Sequence, residues 1–133
     1  VVKLQCPFSG AESMADIPVF ALQDALERVD NDVELLKELI QIFFQEYGRE
    51  VLNLQQALTN KDAQSFVRSA HSLKGAALNV GALQVAREAA ALESLEGAAH
   101  EQNGPEFLQR LSTAVDTFRV QQQAQLSSRS GKV

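Results

Sequence analysis

The chain has 133 residues, is 45% hydrophobic, and carries a formal net charge of −5 and one cysteine. That length and apolar content fit one globular domain with its own core rather than a disordered tail. The acidic balance argues against nucleic acid as a partner, no apolar run approaches the roughly 20 residues that span a bilayer, and a lone Cys6 closes no internal disulfide, which suits a reducing, cytoplasmic setting.

The opening stretch "VVKLQCPFSGAESMAD" has too short an apolar run for a signal peptide. Residues 1–15 are expected to be a flexible lead-in, and the chain could be one module of a longer protein. Asp16 offers an N-cap and Pro18 sits in the first turn, where its missing N–H costs nothing. A short helix follows, with Val19, Leu22, Leu26 and Val29 at helical spacing. "DND" at Asp30 to Asp32 breaks it and can cap the next helix.

The second helix is expected over about Val33 to Leu58. Leu36, Leu39, Phe43, Tyr47, Val51, Leu54 and Leu58 recur at threes and fours, an apolar stripe, and Gly48 interrupts without ending it. "TNKD" at Thr59 to Asp62 is a turn with a capping residue. The third helix is expected over about Ala63 to Val80, with Phe66, Ala70, Leu73 and Ala77 inward and Gly81 as a C-cap glycine. The fourth runs from about Ala82 to Glu96, with Leu83, Ala86, Ala90 and Leu92 or Ala91 apolar. "GAAHEQNGP", Gly97 to Pro105, reads as the loosest internal loop, with His100 solvated in it. The fifth starts near Pro105 and uses Phe107, Leu111, Ala114, Val115 and Phe118; residues 127–133 read as a disordered tail. Alternating strand patterns are absent. The fold expected over residues 16–126 is therefore all-α: an antiparallel four-helix bundle with a short N-terminal capping helix.

Chemistry concentrates in "RSAHSLKGAALNVGA", Arg68 to Ala82. A glycine inside a helix costs about 1 kcal/mol relative to alanine, so Gly75 wants a reason. At 100° per residue, Lys74 and Gly75 share the face of His71, Leu78 continues it, and Arg68 falls near it one turn earlier. His71 stands eleven residues before Ala82 and Glu93 stands eleven after it. In a helical hairpin turning near Ala82 these two side chains lie level; the rotation of the fourth helix decides whether they face each other. A carboxylate accepting from Nδ1–H would leave Nε2 with the lone pair and would favour the cationic ring formed when Nε2 is substituted. The acid of a Ser-His-Asp triad orients its histidine in the same way, but here the histidine would be the nucleophile. Lys74 would then neutralise phosphoryl oxygens, and Gly75 would leave room for a partner's active site to close over His71.

"AHSLKGAALNVGA" resembles the signature of histidine-containing phosphotransfer (HPt) domains: His-x-Leu-Lys-Gly, then a glycine six residues on that opens the next helix. Glu93 falls where that family places the Gln or Glu that bonds the histidine. Ala76 and Ala77 stand where many members carry small hydroxyl residues. The resemblance covers about Ile17 to Leu126 and implies a bundle with a capping helix. It also implies a phosphorelay: His71 Nε2 takes a phosphoryl group from a receiver-domain aspartate and passes it to another receiver. The implied partners are receiver domains of response regulators or hybrid histidine kinases, with Mg²⁺ held by the receiver and no cofactor bound here. It implies a phosphotransfer intermediate rather than an enzyme, and no Walker-type loop is present in the sequence. A monomer without nucleic-acid or membrane contact is expected.

An exposed apolar patch beside His71, drawn from Phe20, Leu22, Ile40 and Phe44, is one expectation for receiver docking; the alternative is that these residues only broaden the core. Two rival functions stand beside this one. One is the phosphoacceptor domain of a chemotaxis-type histidine kinase, phosphorylated from ATP by a separate catalytic domain, which a glutamate at position 93 resembles. The other is a di-iron bundle, which needs Glu-x-x-His pairs; Glu96 and His100 are instead four apart at a helix end.

Overall fold

The computed structural model describes residues 17–95 and 99–127. The lead-in over 1–15, the Asp16 cap and the tail beyond Ser127 lie outside the described residues. Among the described residues five helices follow one another: α1 (Leu22–Arg28), α2 (Val33–Thr59), α3 (Ala63–Asn79), α4 (Leu83–Glu93) and α5 (Ala99–Ser127). α3 packs against both α2 and α4, α4 against α5, and α5 closes back on α2, which is the expected all-α bundle.

Local chemistry sets the helix starts. The Asp32 carboxylate accepts from the backbone N–H of Leu35 at 3.0 Å, and Asp62 accepts from the N–H of Ser65 at 3.1 Å. Each satisfies a donor that the first helical turn leaves without a partner. Asp30 and Asn31, with φ of 55° and 63°, turn the chain from α1 into α2; short polar side chains tolerate that left-handed region. Gly81 (φ +75°) makes the α3–α4 turn, and a Cβ there would lie 2.8 Å from the Ala21 carbonyl oxygen.

That close contact also explains where α1 begins. Pro18 and Val19 were expected in a first helical turn, but the helix starts only at Leu22. The N–H of Ala21 donates to the Gly81 carbonyl at 2.8 Å, and the Gln84 side-chain amide donates to the Ile17 carbonyl at 2.8 Å. Residues 17–21 are thus laid against the α3–α4 turn, and α1 caps that end of the bundle. Arg28 completes the attachment by donating to the Leu78 carbonyl.

The core takes Leu36, Ile40, Phe43 and Leu54 from α2, Phe66, Ala70, Leu73 and Ala77 from α3, Val85, Ala86, Ala89 and Leu92 from α4, and Leu111, Val115 and Phe118 from α5. Val85 and Ala89, rather than Leu83 and Ala90, join Ala86 and Leu92 in facing inward on α4. Glu88, also buried on α4, faces the Arg110 guanidinium of α5, with Oε1 and Nε 3.2 Å apart.

The loop expected over Gly97 to Pro105 is helical from Ala99 onward, with Pro105 inside α5; residues 96–98 lie outside the described residues, as do the side chains of 99–101. A proline in a helix interior removes one backbone hydrogen bond. Packing overrides that cost: Gly104 is buried, and a Cβ on it would lie 2.7 Å from Leu58 Cδ2, so this turn of α5 lies hard against α2.

Candidate functional site

His71 and Lys74 follow the buried Ala70 and Leu73 on α3, so both emerge at the rim of the core. Glu93 comes four residues after the buried Ala89 on α4, at the corresponding rim. The count that placed His71 and Glu93 level in a hairpin is matched by contact. His71 Nδ1 lies 2.7 Å from Glu93 Oε2, and Glu93 Oε1 lies 2.8 Å from Lys74 Nζ. One carboxylate therefore spans two side chains of the neighbouring helix.

Burial alone would push the Glu93 carboxyl up, but the hydrogen bond from Lys74, then that from His71, and the two nearby charges outweigh it, so the group is held below its ordinary value. Ionised, it can only accept. In this pair Nδ1 therefore carries the proton, and in the neutral ring Nε2 carries the lone pair. The His71 side chain is 67% exposed, whereas that of Lys74 is only 19% exposed. The arrangement is an oriented, accessible imidazole, able to act as a nucleophile through Nε2. Gly75, one turn on, has nothing within 4 Å of where a Cβ would sit. No packing inside the domain requires the glycine, and the open space lies beside the histidine.

The other expected site residues divide. Arg68 is exposed one turn before His71, and Leu78 is half-buried one turn beyond Lys74. Phe20, expected on an exposed docking patch, is buried and meets Phe118 edge-on at 5.3 Å. Ile40 is buried too, Leu22 is half-buried against the core, and Phe44 is half-buried under the Arg119 guanidinium at 4.2 Å. These residues broaden the core and cap its end instead of forming a patch. Among the described residues the exposed large apolar side chains are Leu52 (61%) on α2, Val120 (66%) on α5 and, along one strip of α2, Leu35 (39%) and Ile42 (53%). With Leu39, Ile42 borders a depression of about 300 Å³ that Arg28, Ala76 and Asn79 also line. The spacing of Leu35, Leu39 and Ile42 at four and three was the signal for this strip, hidden beside the stronger core stripe.

Among the described residues, no group of three or more His, Cys, Asp or Glu side chains could hold a metal ion, and no helix is long and apolar enough to cross a membrane.

The family model of the Hpt domain matches residues 38–121, a span that contains His71, Lys74, Gly75 and Glu93. The chain belongs to the Hpt domain family. Hpt domains are histidine phosphotransfer modules of two-component systems; they work with receiver domains and lack kinase catalytic machinery. No curated protein and no solved structure matches the chain.

Proposed function

We propose that His71 of this Hpt domain is the phosphoacceptor of a phosphorelay. Its Nε2 lone pair attacks the phosphorus of a receiver's aspartyl phosphate; the P–O bond breaks and the aspartate carboxylate leaves with the electron pair. The phosphoryl group then passes from Nε2 to the aspartate of a second receiver. The carrying observation is the 2.7 Å contact between Nδ1 and Glu93 on a ring that is otherwise open to a partner. That bond holds the Nδ1 proton, which leaves Nε2 nucleophilic and stabilises the positive ring formed on phosphorylation. Mg²⁺ and most of the charge stabilisation come from the receiver, and the domain works in the cytoplasm as a monomer.

A receiver that reaches His71 must cover the adjoining α2–α3 face. Arg68, Ser72, Gly75 and Asn79 form one outward row on α3, and Ile42 of α2 stands exposed across a depression that it lines together with Asn79. This continuity supports that face as the docking surface. Incubation with a phosphorylated receiver should label the wild type and leave His71→Gln unlabelled; equal labelling of both refutes the assignment. Labelling only by ATP and a separate kinase domain, with no exchange with any receiver, assigns the domain to the chemotaxis-type arrangement instead.

A further inference from the structure

Lys74 sits on the histidine's face of α3, where a cation is available to the phosphoryl group, yet its ammonium is directed elsewhere. Nζ lies 2.8 Å from Glu93 Oε1, and the side chain is only 19% exposed. The anion it meets is the carboxylate on the Nδ1 side of the ring, opposite the nitrogen that would bond phosphorus. Glu93 reaches His71 with Oε2 alone. Held by that single bond, the carboxylate could rotate about its terminal torsion, which is broad. A second anchor on Oε1 fixes the plane of the carboxylate and hence the line of the bond to the ring.

We infer that Lys74 is a positioning residue that acts through Glu93: it clamps the far oxygen of the carboxylate, so that the near oxygen holds the imidazole with Nε2 outward. This rests on His71 being the phosphoacceptor. The charged groups around the carboxylate are Lys74 and His71, both from α3, with Arg68 exposed a further turn away. Lys74 and Glu93 therefore form one unit, and removing either member disables it.

A double-mutant cycle tests this, with phosphoramidate as a small phosphoryl donor that needs no receiver. In the reaction followed, His71 Nε2 bonds to phosphorus, the P–N bond of phosphoramidate breaks, and ammonia leaves with the electron pair. Lys74→Met should slow His71 phosphorylation about fourfold, the scale of a partly exposed ion pair. In a Glu93→Ala background the same change should alter the rate by less than about 1.5-fold, because residues that act as a unit are not additive. Lys74→Arg, which keeps the cation, should recover most of the wild-type rate. A fourfold loss in both backgrounds would mean that Lys74 acts directly on the phosphoryl group and would overturn the inference. A second readout is independent of phosphorylation. By ¹³C NMR, the Glu93 carboxyl should titrate at higher pH in Lys74→Met than in the wild type; an unmoved titration also overturns it. If wild-type His71 takes no phosphoryl group while the Glu93 titration still moves with Lys74, the phosphoacceptor assignment fails and the clamp stands.

Discussion

Replacing Glu93 by alanine removes the contact that orients His71. The bond is charge-assisted, 2.7 Å long, and made by a side chain that is 25% exposed. Hydrogen bonds to charged groups are worth about 1.5–3 kcal/mol. Water can replace part of this one at an exposed ring, so the lower end applies: about 1.5 kcal/mol, or roughly a tenfold slower attack by Nε2. Glu93→Gln separates geometry from charge. An amide oxygen can still accept from Nδ1–H, but it carries no charge to stabilise the phosphorylated ring and cannot pair with the Lys74 ammonium. Its rate should fall about fivefold, between the losses of Lys74→Met and Glu93→Ala, consistent with a neutral hydrogen bond in place of a charged one. Phosphorylation by phosphoramidate, followed by ³¹P NMR, measures both rates. Imidazole ¹⁵N shifts report the tautomer, which should be Nδ1–H in the wild type and mixed in Glu93→Ala. A Glu93→Ala rate equal to wild type, with the tautomer unchanged, would refute the orienting role.

Gly75→Ala should raise thermal stability, by up to about 1 kcal/mol, because nothing within 4 Å opposes the new methyl. It should nevertheless slow transfer from a phosphorylated receiver while leaving the phosphoramidate rate unchanged; equal loss with both donors would remove steric clearance as the reason for the glycine. Ile42→Asp should weaken receiver binding in a titration without lowering the melting temperature, since Ile42 is 53% exposed. Asp32→Ala should cost about 1 kcal/mol through the lost N-cap of α2, a fall of about 3–5 °C in thermal melts for a domain of this size. For pH, the folded value of Glu93 lies below its unfolded reference of 4.5. Its stabilising contribution is therefore complete above that reference and is lost as pH falls through the lower folded value. Melting temperatures followed down through the carboxylate range should fall less steeply for Glu93→Gln than for the wild type.

Much of this arrangement could be read from residue spacing, because helical hairpins obey a simple metric. Two helices with the same rise per residue, turning near Ala82, must bring residues equidistant from the turn to one height. That is how a glutamate twenty-two residues from His71 could be singled out. The Asp32 cap and the starts of α2 and α3 were legible for a similar reason: an aspartate before an apolar periodic run has a specific donor to satisfy. What spacing could not supply was packing. Pro105 and Gly104 read as loop residues by their local preferences, but Gly104 is where α5 lies close to Leu58, and that tertiary contact carries the helix through them. Phe20 looked surplus to the α1 stripe because the aromatic cluster receiving it, Phe43, Phe44 and Phe118, comes from α2 and α5. Lys74 shares a helical face with His71, yet a long flexible stem lets the charge go to whichever partner the next helix presents. The direction of that charge belongs to the α3–α4 pair and not to α3 alone.

Nε2 of His71 is proposed to take and give the phosphoryl group. The phosphorylated domain, analysed by ³¹P–¹H correlation NMR at the imidazole and by mapping of the modified residue, tests it most directly. A single phosphoramidate is expected, at His71, on Nε2, and it should disappear when an unphosphorylated receiver is added. A phosphoryl group on Nδ1, on a residue other than His71, or on a His71 that no receiver can discharge would contradict it.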